Sequence, residues 1–269
     1  MSRIVVTGAT GNLGGKVAAH LAGAGHDLML LDRRAAPGIV AVDLGSYDAA
    51  WTDSIAGADA IVHFAGEGRP KASWADAHAG NVLMTGNVLR AARAHGVGRV
   101  VYASTNQVMG GYRFRPEAIR PDSPPAPLNP YAVSKLICEE MGRAFAAETG
   151  AGFVAFRIGN IPPGDNIPGP DLGIGTWGQE MWLSNRDLLQ AVDRALAADI
   201  AGFVLLNLVS ANPGMRWEIE TARAAIGYVP QDGHAAVRTA QIDAEEARAR
   251  LSRLVPGAWL DQFGEPLEG

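Results

Sequence analysis

The glycine-rich segment near the start of the chain constrains the fold more than any other feature. An apolar run at residues 3–6 is followed by three glycines spaced three apart, Gly8, Gly11 and Gly14. The run is typical of a buried parallel strand, and the residues from Asn12 onward have helical periodicity. A strand, a glycine turn and a helix N-terminus bring unpaired backbone N–H groups close to one another, where they can bind a pyrophosphate. The segment therefore predicts dinucleotide binding.

Because the chain contains 33 glycines, the triplet needs support from its surroundings. A second predicted strand, at residues 25–32, ends at Asp32, at the distance from the glycines that the dinucleotide fingerprint requires. We expect Asp32 to accept hydrogen bonds from the adenosine ribose and to repel a 2′-phosphate, which favours NAD over NADP. Arg33 and Arg34 follow directly and could partly reverse that preference. The alternative is a solvated aspartate at the end of a strand.

The order of the remaining predicted elements indicates an α/β fold: a Rossmann-type doubly wound parallel sheet with a small C-terminal substrate-binding part. We expect residues 1–160 to form the NAD-binding core with the catalytic residues. Residues 161–269 should supply a substrate-side loop, helices and a closing strand within the same globular unit. Further predicted strands cover 38–42, 58–66, 98–103 and 203–208, and predicted helices cover 47–55, 81–95, 131–149, 185–198 and 241–254.

Charge and hydrophobicity argue against several classes of protein. A net charge of −5, with 23 scattered Lys and Arg residues, gives no basic patch for nucleic acid. No apolar segment approaches the ~20 residues that span a bilayer, and the first residues do not resemble a signal peptide, so we expect a cytoplasmic protein without membrane contact. Cys138 is the only cysteine, which argues against disulfides and thiolate zinc sites.

A second informative pattern is the pair Tyr131 and Lys135, four residues apart on one face of a predicted helix. A phenol with a pKa near 10 is a poor base at neutral pH. An adjacent ammonium group and the positive nicotinamide of an oxidised cofactor would lower that pKa toward the range of general base catalysis. Ser104 and Thr105 follow the predicted strand at 98–103. His63, inside another predicted strand, is interpreted as a core histidine.

Together these segments resemble the extended short-chain dehydrogenases/reductases, the branch that includes the NAD-dependent epimerase/dehydratases, over nearly the whole chain. The resemblance implies that Tyr131 is the acid/base, that Lys135 holds the nicotinamide ribose and tunes Tyr131, and that Thr105 steadies the substrate oxygen. The residues it implies for NAD binding are Gly8, Gly11, Asn12, Leu13, Gly14, Asp32, Arg33, Asp43, Leu44, Phe64, Ala65, Gly66, Asn81, Ser104, Tyr131, Lys135 and Ile158.

The chain length and the segments 157–160, 175–177 and 227–230 are similar to the sugar-oxidising subgroup that contains the uronate dehydrogenases. Enzymes of that subgroup oxidise a pyranose at its anomeric carbon to a lactone. This chain departs from the subgroup where sugar contacts are expected. Gly68 stands in place of a serine, Gln107 in place of a histidine, and Leu172 or Gly173 in place of the arginine that binds the uronate carboxylate.

The resemblance therefore implies NAD-dependent oxidation of an aldopyranose at the anomeric carbon. An acidic sugar, such as a uronate or a sulfonated hexose, would require Arg69, Lys71 or Arg113 as its cation. Trp177 and Trp182 are expected either to lie against a pyranose or to pack in the core. The residues expected to face the sugar are Gly68, Arg69, Thr105, Asn106, Gln107, Asn160 and Trp177.

Two other functions are compatible with the sequence. One is a redox-neutral nucleotide-sugar epimerase or dehydratase that keeps its NAD, and the other is a non-catalytic cofactor sensor of the same fold. Retention of Thr105, Tyr131 and Lys135 argues against the sensor. The predicted helices at 81–95 and 131–149 resemble those that pair between subunits in this family, which implies a homodimer or a higher homo-oligomer.

Overall fold

The computed structural model describes residues 2–252 of the 269-residue chain. Its seven strands all pair in parallel. They are β1 Arg3–Thr7, β2 Asp27–Asp32, β3 Val40–Ala41, β4 Ala60–His63, β5 Arg99–Thr105, β6 Gly152–Ile158 and β7 Phe203–Leu208. The spatial order β3-β2-β1-β4-β5-β6-β7 reverses direction between β1 and β4. This is the predicted Rossmann-type doubly wound sheet.

Helices cover both faces of the sheet. The α-helices are α1 Asn12–Gly23, α2 Ala49–Thr52, α3 Trp74–Ala77, α4 Met84–Ala94, α5 Pro130–Thr149, α6 Gly175–Glu180, α7 Asn185–Ala197, α8 Glu220–Ile226 and α9 Ala240–Ser252. A π-helical segment, His78–Leu83, joins α3 to α4, and 3₁₀ turns occur at Asp53–Ile55, Asn106–Tyr112 and Pro170–Leu172. No helix within residues 2–252 is long and apolar enough to cross a lipid bilayer.

The core against the sheet lies in two layers, one on each face, and a third, smaller cluster includes Trp177 and Trp217. Successive residues of a strand point to opposite faces, so Val5 and Val6 are both fully buried but belong to different layers. The layer of Val6 is covered by α1, α7 and α8, and the layer of Val5 by α4 and α5. Burial of strands on both faces explains the continuous apolar runs in the sequence.

The helix that carries Tyr131 has well-defined ends. The Asn129 side chain accepts a hydrogen bond from the backbone N–H of Ala132, and Pro130 occupies the first helical position. Gly150 ends the helix with a left-handed backbone, φ +74°. These signals fix the start of α5, and therefore the direction in which Tyr131 projects, at the edge of the sheet.

The predicted helix at 81–95 begins earlier than expected. The Ser73 hydroxyl accepts a hydrogen bond from the backbone N–H of Asp76, so helical backbone starts at Trp74 and continues through the π-helical segment. The predicted start of this helix at residue 81 is therefore wrong, because residues 74–80 are already helical. The predicted helix at 241–254 starts at Ala240 and is described to Ser252. Its last two predicted residues, and residues 255–269, lie outside the described residues.

His63 is a core histidine, as its sequence context indicates. Its ring Nδ1 lies 2.7 Å from Thr7 Oγ1, its Nε2 lies 3.1 Å from Thr85 Oγ1, and the residue is 1% exposed. Burial, together with the nearby charge of Lys135, lowers the pKa of His63 to about 3. The ring is therefore neutral in the folded protein and does not act as a base at neutral pH.

We expect this histidine to weaken the fold in acid. Unfolded His63 takes up a proton near pH 6.5 and folded His63 only near pH 3, so stability falls as the pH drops between these values. The slope from this group is about 1.4 kcal/mol per pH unit, or about 3 kcal/mol by pH ~4.5. Denaturant unfolding across pH measures it. His63→Gln should lose stability less steeply, and identical slopes in both proteins would contradict the expectation.

Candidate active site

Two adjoining cavities open at the carboxyl edge of the sheet. The first, of about 430 Å³, contains Gly8, Gly11 and Asp32 in its lining and is called the glycine cavity. The second, of about 390 Å³, contains Thr105, Tyr131 and Lys135 and is called the tyrosine cavity. They share the lining residues Phe64, Gly66 and Glu67. The groove lies where the strand order reverses between β1 and β4, the usual ligand position in open α/β sheets.

The glycine turn after β1 has the geometry that a pyrophosphate requires. Gly8 has φ +74°, and a Cβ atom there would lie 2.6 Å from the backbone N of Ala65. A Cβ atom on Gly14 would lie 2.1 Å from the Gly8 oxygen, so glycine is needed for α1 to approach the turn. Gly11, which precedes α1, provides no side-chain cap, and the first N–H groups of α1 are left for an anion.

Asp32 lines the glycine cavity and accepts hydrogen bonds from two backbone N–H groups. Its Oδ2 accepts a hydrogen bond of 2.9 Å from the Thr10 N–H, and its Oδ1 accepts one of 2.9 Å from the Arg34 N–H. Burial raises the pKa of Asp32, but these N–H groups and the Arg34 charge outweigh it, so the pKa is lowered and the group is ionised. The Arg34 guanidinium is bonded to Thr10.

Other residues predicted for the cofactor are distributed over both cavities. Arg33, Asp43, Leu44 and Ala65 line the glycine cavity. Asn12, Leu13, Ser104 and Ile158 line the tyrosine cavity. Gly14 and Asn81 line neither and lie behind the surface. Together the two cavities form a groove that extends from Asp32 at one end to Tyr131 at the other.

Asn81 supports the groove from the π-helical segment. Its Nδ2 donates to Ser134 Oγ at 2.9 Å, and its buried Oδ1 has no hydrogen-bond partner. A Cβ atom on Gly66 would lie 2.6 Å from that oxygen and 3.3 Å from Lys135 Nζ. Asn81 thus lies directly behind Gly66, and π-helical turns of this kind are frequent at functional sites.

Tyr131, Thr105 and Lys135 come together at the tyrosine cavity. Tyr131 is 8% exposed, and its cavity is also lined by Thr105, at the end of β5, whose hydroxyl lowers the pKa of the phenol. Lys135, one turn further along α5, donates from Nζ to the Ala103 carbonyl at 2.9 Å. One strand end and one helix N-terminus therefore provide a phenol, a hydroxyl and an ammonium at one cavity wall.

The pKa of Tyr131 differs from the sequence-based expectation. Burial raises this pKa above its ordinary value of 10, the Thr105 hydroxyl lowers it in part, and the Glu67 charge raises it further. Burial also lowers the pKa of Lys135 to about 8, so part of the ammonium charge is lost in mildly alkaline solution. Lys135 alone therefore does not bring Tyr131 near neutrality, because the desolvation cost of a buried phenolate is larger.

Most residues expected to face a sugar line the tyrosine cavity: Gly68, Thr105, Asn106, Gln107 and Asn160. Asn106 is 1% exposed, and neither its Oδ1 nor its Nδ2 has a hydrogen-bond partner, so both are available to a ligand. Asn160 uses its Nδ2 to hold the carbonyls of Leu172 and Gly178 and leaves only its oxygen for the cavity.

Trp177 does not face the groove, contrary to the expectation of a sugar contact. It is 4% exposed, its ring lies 5.2 Å from that of Trp217, and Arg216 lies over its face. Trp182 is also buried, and its Nε1 donates to Asn166. Both rings pack in the core, which was the alternative interpretation of each aromatic position.

Arg69 is also displaced from its expected role. Its guanidinium is paired with Glu67 at 2.6 Å and with Asp76 at 3.4 Å, and it lines the glycine cavity rather than the tyrosine cavity. Arg113 pairs with Glu245 and lies over the Phe114 ring, outside both cavities. Lys71 is exposed and likewise lines neither. None of these three cations is therefore among the described lining residues of the tyrosine cavity.

Several lining residues were not predicted, and two of them border the catalytic end of the groove. Glu67 follows Gly66 directly and borders both cavities, and Met181 lies at the end of α6. The position of Glu67 at a strand end was a usable signal, but the neighbouring cations drew the prediction to Arg69. Met181 reaches the cavity only through tertiary packing, which gives no local pattern. No cluster of three metal-binding side chains occurs within residues 2–252.

A parallel doubly wound sheet, with a glycine turn at the strand-order reversal and a Tyr–Lys pair beside it, defines a Rossmann-type dinucleotide-binding protein. The family comparison is more specific. The model of the NAD dependent epimerase/dehydratase family matches residues 4–162, and the chain belongs to this family.

Related proteins match most of the chain. An L-arabinose 1-dehydrogenase (NAD(P)(+)) of Haloferax volcanii is 34% identical over 253 residues, which cover 88% of this chain and 99% of the relative. A uronate dehydrogenase of Pseudomonas putida is 31% identical, with 92% and 90% covered. A crystal structure of a uronate dehydrogenase variant from Agrobacterium tumefaciens, complexed with NAD, superposes with a TM-score of 0.75 at 28% identity, covering 96% of this chain and 91% of that one.

Proposed function

We propose that the protein oxidises a free aldopyranose at its anomeric carbon to the lactone, with NAD as the hydride acceptor. The observation that carries the proposal is the placement of Thr105, Tyr131 and Lys135 at one end of a groove whose other end is the glycine turn and Asp32. The names of the arabinose and uronate relatives support the reaction, and the complex of the Agrobacterium variant supports NAD.

The chain's own residues provide a proton path and a fixed geometry. Tyr131 as phenolate takes the proton of the anomeric hydroxyl, and the Thr105 hydroxyl donates a hydrogen bond to the same oxygen. Lys135 steadies the nicotinamide ribose, and its charge favours the phenolate as far as it remains protonated. NAD, when bound, accepts the hydride that leaves the anomeric carbon. The products are lactone, NADH and one proton, which Tyr131 releases to solvent.

The test is NADH formation by the purified protein with NAD and a panel of free aldoses, uronates, phosphorylated hexoses and nucleotide sugars. Accumulation of NADH and lactone with a free sugar is expected. The principal alternative is a redox-neutral epimerase or dehydratase acting on a nucleotide sugar. That enzyme would convert its nucleotide sugar without net formation of NADH. Conversion of a nucleotide sugar without NADH, together with no reaction of any free sugar, would therefore overturn the proposal in favour of this alternative.

Asp32 should set the choice between NAD and NADP. Its ionised carboxylate repels a 2′-phosphate, and we expect NAD to be preferred at least tenfold in kcat/KM. Asp32→Asn should narrow this preference about tenfold, because Arg33 then faces the phosphate without a competing carboxylate. Asp43→Asn, at an exposed acid of the same cavity, is the matched control and should keep the parent ratio. An unchanged ratio in Asp32→Asn would contradict the assignment.

The division at residue 160, a cytoplasmic location and a homodimer or higher homo-oligomer remain part of the proposal. Helices α4 and α5 pack side by side, as a helix pair shared between subunits would require. Leu83, just before α4, is 45% exposed. Sedimentation of the purified protein would measure the oligomeric state.

A further inference from the structure

Glu67 lies between the two cavities and is hydrogen-bonded to Arg69 through both carboxylate oxygens. Its Oε1 accepts hydrogen bonds from the backbone N–H and Nε of Arg69, at 2.7 and 2.9 Å, and its Oε2 lies 2.6 Å from Arg69 Nη2. The side chain is only 15% exposed. Three contacts to one arginine leave the carboxylate little freedom to rotate away from the groove, so a ligand in the tyrosine cavity meets it in a fixed position.

The carboxylate is ionised and acts on the catalytic groups. Hydrogen bonds from Arg69 outweigh partial burial and lower the pKa of Glu67. The Glu67 charge in turn adds to the rise of the Tyr131 pKa and offsets part of the lowering of the Lys135 pKa by burial, so the field of Glu67 reaches the position where a sugar would bind. A negative substituent on that sugar would meet the same field.

The described lining of the tyrosine cavity has no cation free to bind a negative substituent of a sugar. Lys135 is the one Lys or Arg among its described lining residues, and its Nζ is bonded to the Ala103 carbonyl. The Arg69 guanidinium forms ion pairs with Glu67 and Asp76. The other polar groups of the cavity include the neutral amides of Asn106 and Gln107, which donate to and accept from sugar hydroxyls.

We infer that the substrate is an uncharged aldose and that Glu67 is the residue that excludes sugars carrying a carboxylate or phosphate. This inference rests on the proposed function and narrows it. A like charge within about 6 Å, at an effective dielectric constant of about 40, lowers kcat/KM by a factor of about ten. An uncharged sugar is not repelled by the Glu67 carboxylate, and its hydroxyls can donate hydrogen bonds to it.

The experiment compares kcat/KM for neutral and anionic partners of the same configuration, such as galactose with galacturonate and glucose with glucose 6-phosphate. The parent protein should prefer each neutral sugar at least tenfold. Glu67→Gln keeps the size of the side chain and removes its charge, and should narrow the preference about tenfold. Asp76→Asn removes the other carboxylate that contacts Arg69, does not line the tyrosine cavity, and should keep the parent ratio.

The outcomes separate the inference from the function beneath it. A parent protein that forms NADH faster with the uronate or the sugar phosphate overturns the inference and leaves the dehydrogenase proposal standing. A neutral preference that is the same in Glu67→Gln overturns the role of Glu67. An absence of NADH with every free sugar overturns the proposed function itself. Circular dichroism of each variant checks that it is folded, and a second substitution, Glu67→Ser, repeats the test if Glu67→Gln is not.

Discussion

Replacing Tyr131 with phenylalanine should lower kcat about 1000-fold, because the variant has no group to take the proton of the sugar hydroxyl. The phenyl ring keeps the buried packing of the tyrosine, which is 8% exposed, so the Kd for NAD should change less than about threefold. Initial rates of NADH formation measure the first quantity, and fluorescence titration with NAD measures the second.

Tyr112→Phe is the matched control for this substitution. Tyr112 is also a buried tyrosine, 5% exposed, and its hydroxyl donates to the Pro124 carbonyl outside both cavities. Loss of that bond should cost about 1 kcal/mol of stability and leave the rate within a few-fold of the parent. If Tyr131→Phe retained a tenth or more of the parent rate, another group would have to be the base.

The largest effect on stability is expected at the buried ion pair between Arg157 and Glu139. Arg157 Nε and Nη2 lie 3.0 and 2.8 Å from the two carboxylate oxygens, and both side chains are at most 2% exposed. Arg157→Met would leave the Glu139 charge buried without its partner, which costs about 3–5 kcal/mol of unfolding free energy. Ser104, which lines the tyrosine cavity, donates to the same carboxylate at 2.5 Å, so activity should fall as well.

Denaturant unfolding of three variants tests this expectation. Arg93→Met removes one partner of the exposed pair with Glu148 and should change stability little. The double variant Arg157→Met with Glu139→Leu removes both buried charges and should be more stable than Arg157→Met alone. Equal losses in Arg157→Met and Arg93→Met would mean that the buried pair has no special weight.

The parts of the fold that the sequence predicted are those specified by local patterns. Glycines that no other residue could replace, at Gly8 and Gly14, mark the first turn, and Asp32 follows at a fixed distance. Apolar runs marked most strands because both faces of the sheet are covered. The early start of the helix at Trp74 depends on a single cap, Ser73, within a charged segment that has loop-like composition.

The candidate site was less predictable from the sequence because the chemistry of each side chain depends on the residues that contact it in the fold. The sequence shows a cation at Arg69, but it does not show that the Arg69 guanidinium forms ion pairs with Glu67 and Asp76. It shows an aromatic ring at Trp177 but not the Trp217 ring that packs on it from 40 residues further along the chain. It shows a Tyr–Lys pair, whereas the upward shift of the Tyr131 pKa comes from burial that only the fold reveals. The roles of these residues remain predictions.

The most direct test of the proposed reaction identifies the sugar carbon from which the hydride is transferred to NAD. The protein would be incubated with NAD and an aldose, chosen from the panel, that carries deuterium either at the anomeric carbon or at the neighbouring carbon. We predict that only the anomeric label appears in the reduced nicotinamide and that its rate of transfer is slowed. Deuterium transferred from the neighbouring carbon, or unlabelled NADH formed from the sugar that is labelled at the anomeric carbon, would contradict oxidation at the anomeric position.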